Sequence, residues 1–403
     1  MHTEIIKEKK DRWRTLNIFL FVMMFALRSF TDAIFIAKGV ESNIWINLKY
    51  IVILLAIFLN IMQFIKNKKM KVFTKEIKNI LFVGIALFFI SCICIIRTNN
   101  FNSCVLEEVF KLILPIVYVF FVMNTWKFED IYCAMKWTLI FSIMGYVIEI
   151  GTSNFSIVNI MSMNFSKSYS PFESNFACGT AIAMCAFFMY YRKNKIITAL
   201  SFLFAIFTFK RLSVFFAIIF FILPKIINVN KNVNKNVKLL CKIGFIVLPL
   251  VYYVFLSPSS SELFYKIIGE SQRSFTMGRS VLLNYINNND FRSFGLGSST
   301  VFIGRSMEMD LIKIYIETGI IGLAIFVNGY WECSGNTVYT YIYMLFQFIN
   351  LVTSHSLNNS FNWILIFLTI GCITYIKRED LSYLKFSNKK KMKEGKVIWK
   401  WQL

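Results

Sequence analysis

The sequence predicts an all-α polytopic membrane protein, with about twelve transmembrane helices and one large external loop. Three observations predict it. Of 403 residues, 57% are hydrophobic, 17% are aromatic and only 16% are charged, where an ordinary soluble domain has about a quarter charged. The apolar residues come in blocks near the roughly 17–25 needed to cross a bilayer. Lys and Arg gather in short segments between those blocks, as orientation signals do. The mean hydropathy of +0.58 leaves more apolar surface than a soluble monomer can hide. A cytosolic enzyme, a disordered chain and a disulfide scaffold are excluded on composition.

Reading along the chain gives twelve candidate spans: 16–37, 44–65, 79–96, 106–123, 131–150, 173–191, 196–209, 212–228, 239–257, 309–328, 338–353 and 361–376. The first follows the basic start Lys7 to Arg14 and is long enough to stay as a span rather than act as a cleaved signal. The seventh and eighth are short and parted only at Lys210-Arg211. One long kinked element is the alternative, although 33 residues exceed a single span.

The loops set the orientation. With a cytoplasmic N-terminus, the cytoplasmic side receives the basic start and six Lys between Lys66 and Lys78. It also receives Arg192, Lys193, Lys195, Lys225, Lys231, Lys235, Lys238, Lys242 and the tail. The opposite side has far fewer, so both termini are expected in the cytoplasm of a bacterial inner (plasma) membrane. The organisation is then nine helices over 1–257, a large periplasmic loop over 258–308, three helices over 309–376 and a basic tail over 377–403. Segment 229–238 reads as a low-complexity cytoplasmic loop. The tail, with Lys389, Lys390 and Lys391, reads as lying on anionic lipid. The net charge of +22 follows from this distribution, so nucleic acid is not an expected partner and membrane lipid is.

No cofactor or metal is expected. The nine Cys sit almost all in apolar runs, where they act as small hydrophobes. Two His, His2 and His355, cannot make a multi-histidine site.

The external segments hold the candidate chemistry. Loop 258–308 is too long to be a mere connection and reads as a partly helical lid, with apolar stretches at Leu263 to Ile268 and Val281 to Ile286. Lys210 and Arg211 stand externally against the charge trend, at the depth of lipid headgroups. They suit a lipid-linked phosphate or pyrophosphate, with snorkelling to lipid as the bland alternative. Arg273, Arg279 and Arg292 add cations in the loop; Gly278-Arg279-Ser280 precedes a helical stretch whose free amides favour an anion. Glu308 and Asp310 stand where the loop meets the tenth span. Asp310, Lys313 and Glu317 share one helix face, which puts Glu317 about 10 Å further in, expected beside Lys313; a structural Lys–Glu pair is the alternative. Arg28 and Asp32 read as a pair packed inside the bundle. His355 is either a general base or a polar loop residue. Glu308-x-Asp310 alone is a thin ligand set for a divalent ion.

The chain resembles the Wzy-type O-antigen polymerases of the O-antigen ligase and polymerase superfamily. The resemblance rests on Thr276-Met277-Gly278-Arg279-Ser280, Gly295-Leu296-Gly297-Ser298, and Glu308-Met309-Asp310 followed by Glu317-Thr318-Gly319-Ile320-Ile321-Gly322. Lys210-Arg211 looks like the family's basic step before a span. The motifs cover about a quarter of the chain, and the layout of spans with one large loop carries much of the weight.

The resemblance implies a fold similar to membrane glycosyltransferases of the C type (GT-C-like). It implies transfer of a growing glycan from undecaprenyl pyrophosphate onto the next lipid-linked repeat unit, at the periplasmic face. It also implies undecaprenyl-pyrophosphate-linked oligosaccharide as substrate, with a flippase and a chain-length regulator as partners. The ligase branch carries a His in the loop just before the Gly-x-x-Gly helix. Here that stretch has Glu308 and Asp310 instead, which favours polymerase.

Such a transfer needs a base for a sugar hydroxyl and cations for the departing pyrophosphate. Glu308 and Asp310 are the expected catalytic carboxylates. Lys210, Arg211, Arg273, Arg279, Glu317 and His355 are the expected substrate-binding residues. A transporter without chemistry is the rival of a different class, but the matched halves and broken helices of that class are not evident.

Overall fold

A computed structural model describes residues 2–36, 43–67, 72–163, 170–174 and 177–376. The tail 377–403, expected on lipid, and parts of the loops after the first, second and fifth spans lie outside the described residues.

Among the described residues the fold is all-α, with no strand. In chain order the helices are α1 (His2–Thr31), α2 (Asn43–Asn67), α3 (Thr74–Thr98), α4 (Cys104–Thr125), α5 (Phe128–Ile150), α6 (Ile157–Met161), α7 (Ala177–Tyr191), α8 (Lys195–Phe207) and α9 (Arg211–Ile226). There follow α10 (Lys235–Phe255), α11 (Ser261–Ile268), α12 (Gln272–Phe275), α13 (Arg279–Asn288), α14 (Ser298–Ile303), α15 (Asp310–Glu332), α16 (Val338–Thr353) and α17 (Ser360–Tyr375). Twelve of these have thirteen residues or more, and they coincide with the twelve apolar blocks of the sequence. Among the described residues, five stretches are long and apolar enough to cross a membrane: Arg12–Phe35, Asn47–Lys66, Thr74–Thr98, Phe128–Ile150 and Lys235–Phe255. The protein is an all-α, membrane-embedded bundle.

Burial separates its helices into kinds. α7 is apolar all round, and Thr180 to Tyr191 are all buried, as a central helix requires. α17 is equally enclosed and packs on α4 and α7. α10 is the opposite case, with only 11% of its apolar window buried; Leu240 and Val254 face outward.

The two short spans are two helices rather than one kinked element. α8 ends at Phe207, Phe209 takes a left-handed φ of 54°, and α9 starts at Arg211 and packs back on α8. α8 has 13 residues, about 20 Å of rise, against a hydrocarbon core of about 30 Å.

Side-chain ties group the helix ends into two sets. At one end, Glu332 of α15 is held by Lys75 (2.6 Å) and Lys242, and Tyr375 donates to Glu76 at 2.9 Å. Arg14 pairs with Asp130 there. Burial opposes ionisation of Glu332, but the two lysines outweigh it and hold its carboxyl down at about 2. The opposite end gathers Arg28, Lys49, Glu108, Asp310, His355 and residues 258–308.

Residues 258–308 share a separate core with the end of α10 and the start of α15, in which Leu256, Phe264, Leu283, Ile286, Met307, Met309 and Ile312 pack together. α11 and α13 fall on the two apolar stretches read from the sequence. Between α13 and α14 the chain turns inward, and Phe294 to Ser299 are six consecutive buried residues.

Candidate functional site

The site is built on the start of α15 and the short connection between α16 and α17. Asp310 is the first residue of α15 and is fully buried. α16 closes at Thr353, and α17 begins at Ser360 behind the Asn359 cap, whose side chain accepts from the Asn362 amide. The intervening turn wraps around the Asp310 carboxylate. Oδ2 accepts the amides of Ser356 (2.6 Å) and Leu357 (2.7 Å), and Oδ1 lies 3.1 Å from Nδ1 of His355.

This geometry fixes the chemistry of His355. With Nδ1–H donated to a carboxylate, the lone pair of the neutral ring sits on Nε2. The side chain remains 27% exposed. Burial disfavours the imidazolium, but the hydrogen bond and charge of Asp310 more than offset it, and the His355 pKa stands above its ordinary value.

The two expected catalytic carboxylates therefore occupy different environments. Asp310 has no exposed surface, and its oxygens are taken by the turn. Glu308 is 51% exposed and pairs with Nε of Arg279 at 2.8 Å. The two carboxylates have separate partners, Arg279 for Glu308 and the His355–Leu357 turn for Asp310. Among the described residues no group of three His, Cys, Asp or Glu is placed to hold a metal ion.

Arg279 begins α13 behind Gly278, and its Nη1 also reaches the Thr276 carbonyl at 3.4 Å. Arg273, on α12, and Arg292, after α13, are exposed. Lys210 and Arg211 lie on a different part of the bundle, at the α8–α9 turn; α9 packs on α7 and α16. Arg279, Glu308 and Asp310 thus stand together where the loop meets α15, while Lys210 and Arg211 stand at the α8–α9 turn.

Glu317 lies deeper in α15 and is almost fully buried. Its carboxylate accepts the amides of Gly297 (2.9 Å) and Ser299 (3.0 Å) and the Ser299 hydroxyl (2.6 Å). It is thus the anchor of the inward-turning segment. Lys313, whose charge interacts with that of Glu317 one turn on, makes its direct pair with Glu108 of α4, at 3.2 Å, and Glu108 also accepts from Asn358 in the His355 turn. Just beyond Glu317, helix α15 breaks at Gly319, with φ 73° and ψ −176°. The break frees backbone groups, and Ser293 Oγ donates to the Glu317 carbonyl at 2.6 Å. The break itself is open: Gly319 is exposed, and Ile320 and Ile321 after it are 44% and 67% exposed. Gly297 has φ 86°, and a Cβ there would come within 2.5 Å of Cys104 Sγ, so the Gly-x-Gly step is a packing requirement.

The Arg28–Asp32 pair, expected inside the bundle, is larger than the sequence indicated. Asp32 lies 3.3 Å from Arg28 and 3.4 Å from Lys49, and Arg28 donates to Asn362 at 2.8 Å. Lys49 and Glu108 were missed by reading the sequence. Both are ionisable residues in or beside apolar blocks, and that signal alone marks a position for scrutiny.

Comparison of the chain with protein-family models, with curated proteins and with solved structures gives no match.

Proposed function

We propose that this protein is a membrane glycosyltransferase: a polymerase that moves a growing glycan from undecaprenyl pyrophosphate onto the next lipid-linked repeat unit. In this reading all twelve long helices cross a bacterial inner membrane and both termini are cytoplasmic. The end that gathers residues 258–310 and His355 then faces the periplasm. A flippase and a chain-length regulator would act beside it.

One observation carries the reading: an oriented imidazole, His355 on Asp310, at the end of the bundle that also bears the arginine-rich loop. An acceptor sugar hydroxyl would give its proton to Nε2 of His355. Its oxygen would bond to the anomeric carbon of the donor glycan as the bond from that carbon to the pyrophosphate oxygen breaks. The departing pyrophosphate keeps the electron pair, and its growing charge calls for fixed cations, for which Arg279, Arg273, Lys210 and Arg211 are candidates. Asp310 acts through His355, holding the productive tautomer, as the carboxylate of a catalytic triad does. Glu308 holds Arg279 between turnovers, and Glu317 shapes the site from below through the inward-turning segment.

The ligase reading keeps one specific support. The ligase branch has a His just before the helix that here is α15, and in space His355 stands against the first residue of that helix. The two reactions share a base and a leaving group and differ in the acceptor.

Deleting the gene distinguishes them. A polymerase leaves surface glycans of single repeat units, and a ligase leaves long chains on undecaprenyl pyrophosphate with none on the final acceptor. An unchanged glycan pattern contradicts both.

A further inference from the structure

We propose that α11 and the Phe275–Met277 turn form a shelf seated on the phospholipid of the outer leaflet, so that the large loop rides on the bilayer. This rests on α10 crossing the membrane and not on the polymerase reading.

α10 has 21 residues, about 32 Å of rise, which matches a hydrocarbon core of about 30 Å. Its end near Phe255 therefore sits at the interface. The following residues are clamped to that end. Gln272 Nε2 donates to the carbonyls of Phe255 (2.8 Å) and Ser257 (3.0 Å), and Ser260 Oγ to that of Val254 (2.7 Å). The Phe264 ring packs 5.9 Å from Phe255 and 5.4 Å from Phe275. α11 cannot rise away from the depth these contacts set.

Phe264 is the buried residue of α11, at 2% exposure. Leu263, Tyr265, Ile267, Phe275 and Met277 are 49% to 65% exposed. In water that is a costly apolar surface. At the interface it is the expected one: aliphatic residues enter the acyl boundary, the Tyr ring sits among headgroups, and Lys266 reaches phosphate. The flank of α10 is already lipid-exposed along Val247, Val251 and Val254, so lipid reaching α10 meets the shelf.

The test uses the full-length protein in nanodiscs of phosphatidylethanolamine and phosphatidylglycerol. The nine native cysteines are replaced and an environment-sensitive fluorophore is placed through Ile267→Cys or, as the membrane reference, Val254→Cys. The expected result is blue-shifted emission at 267 that is lost when the lipids carry a nitroxide near the headgroup. Water-like emission at 267 that persists beside a quenched probe at 254 overturns the proposal. Should the replaced cysteines compromise folding, hydroxyl-radical footprinting of the unaltered protein gives the same decision. Met277 protected as well as Met62, which is exposed on α2, supports the shelf, and Met277 oxidised freely overturns it. Neither readout depends on glycan transfer.

Discussion

Asp310 and His355, 45 positions apart, meet with 3.1 Å between Oδ1 and Nδ1, and the Ser356 and Leu357 amides close the same carboxylate from the other side. The start of α15 thus fixes the turn between α16 and α17. A carboxylate at a helix N-terminus is also favoured by the helix dipole.

The pairing predicts opposite pH effects on stability and on activity. The His355 pKa is raised, so the ion pair contributes its full stability below the unfolded value of about 6.5, and that contribution is lost as pH rises through the folded pKa. A general base must be neutral, so transfer should rise over the same range. Asp310→Asn removes the effect that raises the pKa and leaves burial, so the acid limb of the pH–rate profile should move to lower pH while the rate falls. A limb that stays in place would separate Asp310 from the titration.

Arg279→Ala and Arg211→Ala should each abolish chain extension without loss of protein from the membrane. Arg→Lys should restore part of it, because a single ammonium cannot grip a phosphate bidentately. Glycan length on a gel beside membrane protein level is the measurement. Normal ladders in both Ala variants would remove the pyrophosphate role.

Lys313 and Glu108 form a buried pair, 1% and 6% exposed at the side chain. Lys313→Met or Glu108→Gln alone strands a charge, costing about 3–5 kcal/mol, whereas the double variant should recover most of it. Thermal unfolding in detergent of the three variants gives the coupling. Additive losses would mean that the two charges do not depend on each other.

Glu317 and Gly297 predict a local failure. Gly297→Ala places a Cβ against Cys104 at a left-handed φ, and Glu317→Ala leaves three donors without an acceptor. Each lost hydrogen bond to a charged group is worth about 1.5–3 kcal/mol. Protease sensitivity within 289–305 should rise in both variants before the helices unfold. A loop as resistant as wild type would show that the segment does not need its anchor.

The bundle was legible in the sequence because hydrophobic blocks are local signals: each apolar run needs only its own residues to specify a helix. The α11 and α13 stretches and the α8–α9 break were legible for the same reason. The site was legible only in its parts. Glu308, Asp310, Arg279 and His355 stood out as polar residues at block edges, but spacing along α15 suggested that Glu317 serves Lys313. The two charges do interact, but packing adds Glu108 of α4 to Lys313 and the Gly297 and Ser299 amides to Glu317. Such partners lie on other elements, up to 205 positions away, and no periodicity reports them. The inward turn at Phe294 to Ser299 was hidden because six buried residues in a glycine-rich loop resemble an ordinary turn.

The most direct test compares His355→Ala, Asp310→Asn and Glu308→Gln for surface glycan length, with membrane protein level measured in parallel. The account predicts that His355→Ala reduces long chains to single repeat units, a loss of about 100- to 10,000-fold in transfer for a missing general base. Asp310→Asn should give a severe but partial loss, and Glu308→Gln should keep appreciable polymer. Long chains from His355→Ala, with their loss in Glu308→Gln, would contradict the account and move the base to Glu308.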